Sequence, residues 1–354
     1  MSVFVLGCHR SGTSLLATIL RRAILGDKDS SRLGPDIPRS ADNKHGHAES
    51  ESLMLLNEHL LSIAGASWHQ PYLLRPDWEE KDTLAHLSSL RSRLDYHLST
   101  QQWIDKDPRL CLTRDAVAHI LLTDIPAIAI LRHPVEVAQS LYLRNGFAPA
   151  KSLLIWLLYN YHLYNCSSSL PHYTLLHADL VSTDLEHRNS CSVLLEDFLQ
   201  QTFPQNSTSL SSQISACLDR GLLHCNAGST HQLGLDAATT QFFNALWQDI
   251  GTEVRQHQGR ALATAFSAAL PQGLSHLLPG QRTPVYGHHI AHQRECLERR
   301  LQQTENALHT TQIKAQDLEQ TLQGMRSSRL YRLSQAGRRL WRRLWRPRVG
   351  ADHS

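Results

Sequence analysis

The chain has 354 residues, 35 Lys and Arg against 32 Asp and Glu, a net charge of +3 and 41% hydrophobic residues. That length allows one good-sized α/β domain with appendages, and the composition is that of a globular protein rather than a disordered or fibrous one. No run approaches the roughly 18–20 consecutive apolar residues of a membrane span, no basic stretch and apolar h-region open the chain, and the seven cysteines form no CxxC pair. Neither a disulfide framework nor a zinc site is indicated, and a reduced, cytoplasmic protein is expected. The 22 histidines include His45-Gly46-His47 and His288-His289, but no Cys or acidic cluster stands at ligand spacing, so no metal is expected.

In chain order, the first element is the apolar run Val3–Leu6, a strand. It leads into GCHRSGTS at residues 7–14 and then a helical pattern over Ser14–Ile24. The spacing of Gly7 and Gly12, followed by Thr13 and Ser14, is that of a phosphate loop with threonine where lysine stands in a nucleoside triphosphatase. A loop gripping a single 5′-phosphate needs backbone N–H groups, a helix N-terminus and hydroxyl donors. Ser11, Gly12, Thr13 and Ser14 supply these, and Arg10 adds a cation that keeps its proton. A helix over Ser50–Ala64 follows GHAES, and a short strand at Trp103–Ile104 precedes KDPR, Lys106–Arg109.

The run Ala127–Leu131 predicts a third strand, ending in Arg132-His133-Pro134. Proline suits the first turn of the helix expected over Val135–Asn145, which puts Arg132 at the strand-to-helix corner. Ser140 and Arg144, four apart, share one face of that helix. These three residues are placed to converge on a second phosphate, although the same pattern describes a charged helix face. A helix over Ser152–Tyr164 and a strand at Tyr173–Leu176 complete the alternation, which implies βαβ units, a parallel sheet and helices on its faces. The loop after the first strand then sits at the carboxyl edge, where such folds bind ligands.

Residues 1–200 are read as the nucleotide-binding core and 201–277 as its helical continuation. The Pro/Gly-rich stretch 278–287 reads as a linker. Over 288–325 a heptad pattern (Leu301, Leu308, Ala315, Leu322 with Leu297, Thr304, Thr311, Leu318, Met325) predicts a coiled-coil stalk and a homodimer. In 326–354 nine arginines lie between Arg326 and Arg348 with no acid, so with those charges set aside the rest of the chain stands at about −6. Leu330, Leu333, Gly337, Leu340, Trp341, Leu344 and Trp345 share one side of that segment and most of the arginines the other. A basic amphipathic helix on an anionic membrane surface is expected, with no nucleic-acid partner.

Taken together, the RSGTS loop after the first strand and the Arg-x-x-Pro…Ser…Arg series after a later one resemble the sulfotransferase family, whose donor is 3′-phosphoadenosine 5′-phosphosulfate. The resemblance covers roughly residues 1–200. It implies that Arg10, Ser11, Gly12, Thr13 and Ser14 hold the 5′-phosphosulfate, that Arg132 and Ser140 hold the 3′-phosphate, and that Arg144 is an additional basic contact. KDPR resembles the Lys-Asp-Pro motif of the tyrosylprotein and bacterial carbohydrate branches. GHAES resembles the segment that brings a catalytic glutamate to the cleft. Arg10 replaces the lysine of the cytosolic branch, and no equivalent of that branch's late Arg-Lys-Gly loop is found.

The expected activity is sulfonyl transfer to a glycan or lipid-linked saccharide, without a metal. Glu49 is the first candidate for the base, before His47 and Glu51, and Lys106 and Arg10 would stabilise the developing charge. A tyrosyl acceptor, a small-molecule P-loop kinase with Asp124 as metal ligand, and a membrane-tethered scaffold without catalysis are the alternatives. Trp68, Trp103 and Trp156 read as core residues, any one of which is also suited to stack on a sugar or the adenine.

Overall fold

Strand β1 (Ser2–Leu6) has no polar interior position because helices cover both of its faces. Val3 and Val5 pack into one apolar layer, Phe4 and Leu6 into the other. The structure, a computed structural model, describes residues 2–25, 49–100, 102–166, 171, 173–203 and 233–277. The linker, heptad segment and basic tail expected over 278–354 lie outside the described residues, as does His47.

Strands β2 (Trp103–Lys106), β3 (Ala127–Leu131) and β4 (Tyr173–Leu176) join β1 in one sheet. The order is β2-β1-β3-β4 and every pair is parallel. Register pairs Val5 with Lys106, Leu6 with Ala129 and Leu131 with Leu176, so the carboxyl ends of all four strands come to one edge. Strand β2 runs two residues beyond the apolar Trp103–Ile104, through Asp105 and Lys106. Buried hydrogen-bond partners satisfy both charged side chains, so a strand continues where hydropathy stops.

Helix α1 (Thr13–Leu25) leaves β1 on the face of Val3 and Val5, packing Leu16, Ile19 and Leu20 against Ile128 and Ile130. Helices α2 (Glu51–Ile63), α3 (Lys81–Ser89), α4 (Asp95–Ser99) and α5 (Leu110–Leu121) come before β3. After β3 come α6 (Pro134–Asn145) and α7 (Pro149–Tyr164). Helices α8 (His177–Leu180), α9 (Leu185–Thr202), α10 (Ala237–His257) and α11 (Leu262–Leu277) complete the described chain. Helix α9 shares α1's face through Leu195, Phe198 and Leu199. The opposite layer takes α2, α5, α6, α7, α10 and α11. Among the described residues no helix is long and apolar enough to cross a membrane.

The neighbours β1 and β3 therefore send their chains to opposite faces, α1 to one and α6 to the other. Between such strands the connecting loops part and leave a crevice at the carboxyl edge. Two caps set the helix starts there. Ser50 accepts from the Leu53 N–H at 3.3 Å to begin α2. His133 accepts from the Val135 N–H at 3.2 Å, with Pro134 in the first turn of α6.

Trp156 on α7 links this edge to the core. It is fully buried, packs on Phe243 and Phe266, and donates its indole N–H to the Arg132 carbonyl at 2.9 Å. Trp156→Ala is expected to lower stability by about 3–5 kcal/mol. Trp156→Phe, which mainly leaves the Arg132 carbonyl unsatisfied, is expected to cost about 1–3 kcal/mol. Urea denaturation measures both, and an alanine variant within 1 kcal/mol of the wild type would contradict the assignment.

Candidate active site

The loop between β1 and α1 has no room for side chains at its two glycines. A Cβ on Gly7 (φ +152°) would lie 2.6 Å from the Ile130 carbonyl oxygen, and one on Gly12 (φ +92°) would lie 2.5 Å from His177 Cδ2. Arg10 between them is left-handed at φ 68°, unusual for a residue with a Cβ. The Ser11 N–H closes a turn onto the Cys8 carbonyl at 3.1 Å. Ser11 and Thr13 are buried. The Leu16 N–H donates to the Gly12 carbonyl at 3.1 Å, so α1 begins at the end of the loop. Its positive end and first N–H groups belong to this turn, which is what an anion requires.

Arg10 and the β3–α6 corner are bonded directly. Arg10 Nε donates to Ser140 Oγ at 2.8 Å, and Arg132 NH1 donates to the Arg10 carbonyl at 3.0 Å. Arg132 Nε also donates to Glu136 at 2.9 Å. Thus Arg10, Arg132 and Ser140 meet at the β1/β3 crevice, whereas Arg144 is exposed further along α6. Two arginines joined through one backbone carbonyl in this way are suited to a multiply charged anion that takes several hydrogen bonds at once.

On the other side of β1, Lys106 at the end of β2 forms a buried ion pair with Glu49, the residue just before the α2 cap. Lys106 is 2% exposed and Glu49 9%. Neither of lysine's sequence neighbours takes that role. Asp105 accepts from the Ser50 N–H at 3.0 Å and from His97 at 2.7 Å. Asp107 accepts from Asn57 at 2.9 Å and from the Arg109 backbone and guanidinium at 3.0 Å each, so it shapes the turn into α5. Glu51 faces solvent.

Burial pushes the Glu49 carboxyl above the ordinary glutamate range, with Lys106 pulling against it and Asp107 adding to it. Burial also works to raise Asp105, but the hydrogen bond and charge of His97 outweigh it and hold that carboxyl low. Asp105 is therefore a fixed anchor for α2, whereas the Glu49 carboxyl is shifted in the opposite direction, toward holding its proton.

Two histidines join the site without any local sequence signal. His177, at the end of β4, lies against Gly12, and burial followed by the Arg132 charge pushes its pKa down to about 4. His9 has its pKa lowered well below the usual value by burial, then by Arg109, Lys106, Arg144 and Arg10. Four cations act on that one ring, which marks a region of positive potential in the loop. Among the described residues no group of three or more His, Cys, Asp or Glu is placed to hold a metal ion.

The crevice, the glycine-lined loop and the converging guanidinium groups define an α/β protein of the phosphate-loop kind. A sequence model described as the sulfotransferase family matches residues 2–178, half of the chain, and the protein belongs to that family. The matched segment contains all four strands and every side chain of the site described above. Among solved structures, the sulfotransferase domain from the Synechococcus PCC 7002 olefin synthase is similar at 18% identity, covering 70% of this chain and 94% of that one with a TM-score of 0.33. No curated protein matches the chain significantly.

The buried pair yields a test of its own. Lys106→Ala strands the Glu49 charge and is expected to cost about 3–5 kcal/mol, more than the double change Glu49→Gln/Lys106→Met, which removes both charges. Urea midpoints of the three proteins decide it, and a double variant less stable than Lys106→Ala would show that the pair does not behave as a buried couple.

Proposed function

We propose that the protein transfers the sulfonyl group of 3′-phosphoadenosine 5′-phosphosulfate to a hydroxyl of a carbohydrate acceptor. The observation that carries this reading is the direct bonding of Arg10 to Ser140 and Arg132 across the crevice, one strand away from the buried Glu49–Lys106 pair. The loop fits a nucleotide bisphosphate: Gly7 and Gly12 let backbone approach closely, α1 adds its positive end, and two arginines flank it. In this reading Ser11, Gly12, Thr13 and Ser14 bind the 5′-phosphate oxygens with Arg10. Arg132 and Ser140 bind the 3′-phosphate, and exposed Arg144 adds positive potential.

The donor supplies an activated sulfonyl group when bound. Glu49 takes the proton of the attacking hydroxyl as the new O–S bond forms and the S–O bond to the 5′-phosphate breaks. Lys106, released from the pair as Glu49 is neutralised, and Arg10 stabilise the charge that develops on the sulfonyl and bridging oxygens. Adenosine 3′,5′-bisphosphate and the sulfated acceptor are the products. KDPR resembles both the tyrosylprotein and the bacterial carbohydrate branches, so the choice of a carbohydrate acceptor rests on the expected architecture. A dimeric stalk and basic tail over 288–354 would bring the enzyme to lipid-linked saccharides at an anionic surface. The kinase alternative loses support because Asp124 precedes β3, at the sheet edge opposite the loop, where it pairs with Arg114 at 3.3 Å.

Calorimetry with adenosine 3′,5′-bisphosphate is expected to show binding that Arg132→Ala weakens at least about tenfold, the loss of one charge-assisted contact. Binding of Mg-ATP alone, or of neither nucleotide, would overturn the proposal. With labelled donor, kcat/KM is expected to rise with pH through the Glu49 pKa, above the ordinary value of about 4.3, because only the carboxylate accepts a proton. Glu49→Gln should lose at least about 100-fold in rate together with that acidic limb. A limb that survives the substitution would assign the base elsewhere.

A further inference from the structure

Of the three tryptophans singled out in the sequence, Trp103 and Trp156 are 1% and 0% exposed, so neither is open to a ligand. Trp68 is partly exposed, and so are His69 and Phe147 beside it. The ring centroids of Trp68 and Phe147 are 5.7 Å apart at 32°, and His69 stands edge-on to Trp68 at 5.3 Å. The cluster reaches the loop through His9, whose ring is 4.7 Å from Trp68, and is pinned from α7 by the Tyr159 hydroxyl, which donates to the Trp68 carbonyl at 2.8 Å. Lys151 Nζ lies over one face of Phe147, 4.0 Å from the ring centroid.

Two features separate this cluster from ordinary core. His9 Nε2 and His69 Nδ1 are both buried without a hydrogen-bond partner, at a cost that purely apolar rings would avoid. The cluster also abuts the residue before Arg10, the arm of the candidate transfer site. The other partly exposed tryptophan of the described residues, Trp247, packs on His133 at 5.4 Å, next to Arg132. That ring is thus engaged at the other corner and does not join this cluster.

We propose that Trp68, His69 and Phe147 form the acceptor subsite, receiving the C–H face of one pyranose ring and aiming its hydroxyl across His9 toward Glu49. Flat aromatic rings with a polar rim suit a sugar, which is apolar on its faces and hydroxylated at its edge. The inference deepens the carbohydrate sulfotransferase reading and rests on it for the direction of transfer. Lys151 would select neutral or acidic sugars over cationic ones.

The test uses saturation-transfer NMR on the full chain, with the methyl β-pyranosides of glucose, galactose, mannose and N-acetylglucosamine as probes. Adenosine 3′,5′-bisphosphate affinity is measured in parallel by calorimetry. Wild type should transfer saturation to the ring C–H protons of at least one probe. Trp68→Ala and Phe147→Ala should each reduce that signal at least fivefold, and Trp68→Phe should retain more than half of it. Bisphosphate affinity should stay within twofold in all three, which also reports that the variants are folded. No response from the wild type, or an unchanged response in both alanine variants, overturns the subsite. So does a fivefold loss of bisphosphate affinity in Trp68→Ala with Trp68→Phe unaffected, which would place the adenine on this platform. A wild type that takes the sugar but no bisphosphate would sustain the subsite and sink the donor assignment instead.

Discussion

The hydrogen bond from Arg132 to the Arg10 carbonyl ties together the two chain segments that part company at the β1/β3 crevice. Through it the loop is held in a backbone form that Arg10 would not choose alone, at φ 68°. The bond is one link in a longer series. Trp156, deep in the helical layer, holds the Arg132 carbonyl; Arg132 holds the Arg10 carbonyl; Arg10 holds Ser140. Core packing is thereby converted into the position of both arginines at the crevice.

Charge balance around the loop follows from the same arrangement. Arg10, Lys106, Arg109 and Arg144 all act on His9, while Glu49 pairs with Lys106, Asp107 and Glu58 both pair with Arg109, and Glu136 pairs with Arg132. Each acid is bound to a particular cation rather than spread through the cleft. Burial raises the Glu49 carboxyl, with the Lys106 charge pulling against it. A proton reaching it would dissolve one pair and expose Lys106 to whatever negative charge stands in the cleft.

Much of the frame was legible in the residues. The four apolar runs are the four strands, and the helical patterns after the first and third end within a residue or two of α1 and α6. Parallel strands buried on both faces advertise themselves by continuous hydropathy. The end of β2 did not, because Asp105 and Lys106 stay in the strand through partners 8 and 57 residues away. Helix α5 carries Arg114 and Asp115 on buried positions and so lacks a polar face to read. His9 and His177 offered no spacing signal, since their roles come from what other elements bring against them. The bond between Arg10 and Ser140 joins residues 130 apart, a contact that no local pattern announces.

His177 occupies the space that a Cβ on Gly12 would need, and its ring is held neutral well below the ordinary histidine range, with a pKa of about 4. The folded state thus binds this proton less readily than the unfolded chain does, so stability is full above about pH 6.5 and drains away as pH falls toward 4. A charge forced onto that ring would stand beside Arg132 and against the start of α1. Acid therefore strains the Gly12 turn from the side of β4, so the loop's tolerance of low pH is set by a residue 165 positions away in the chain.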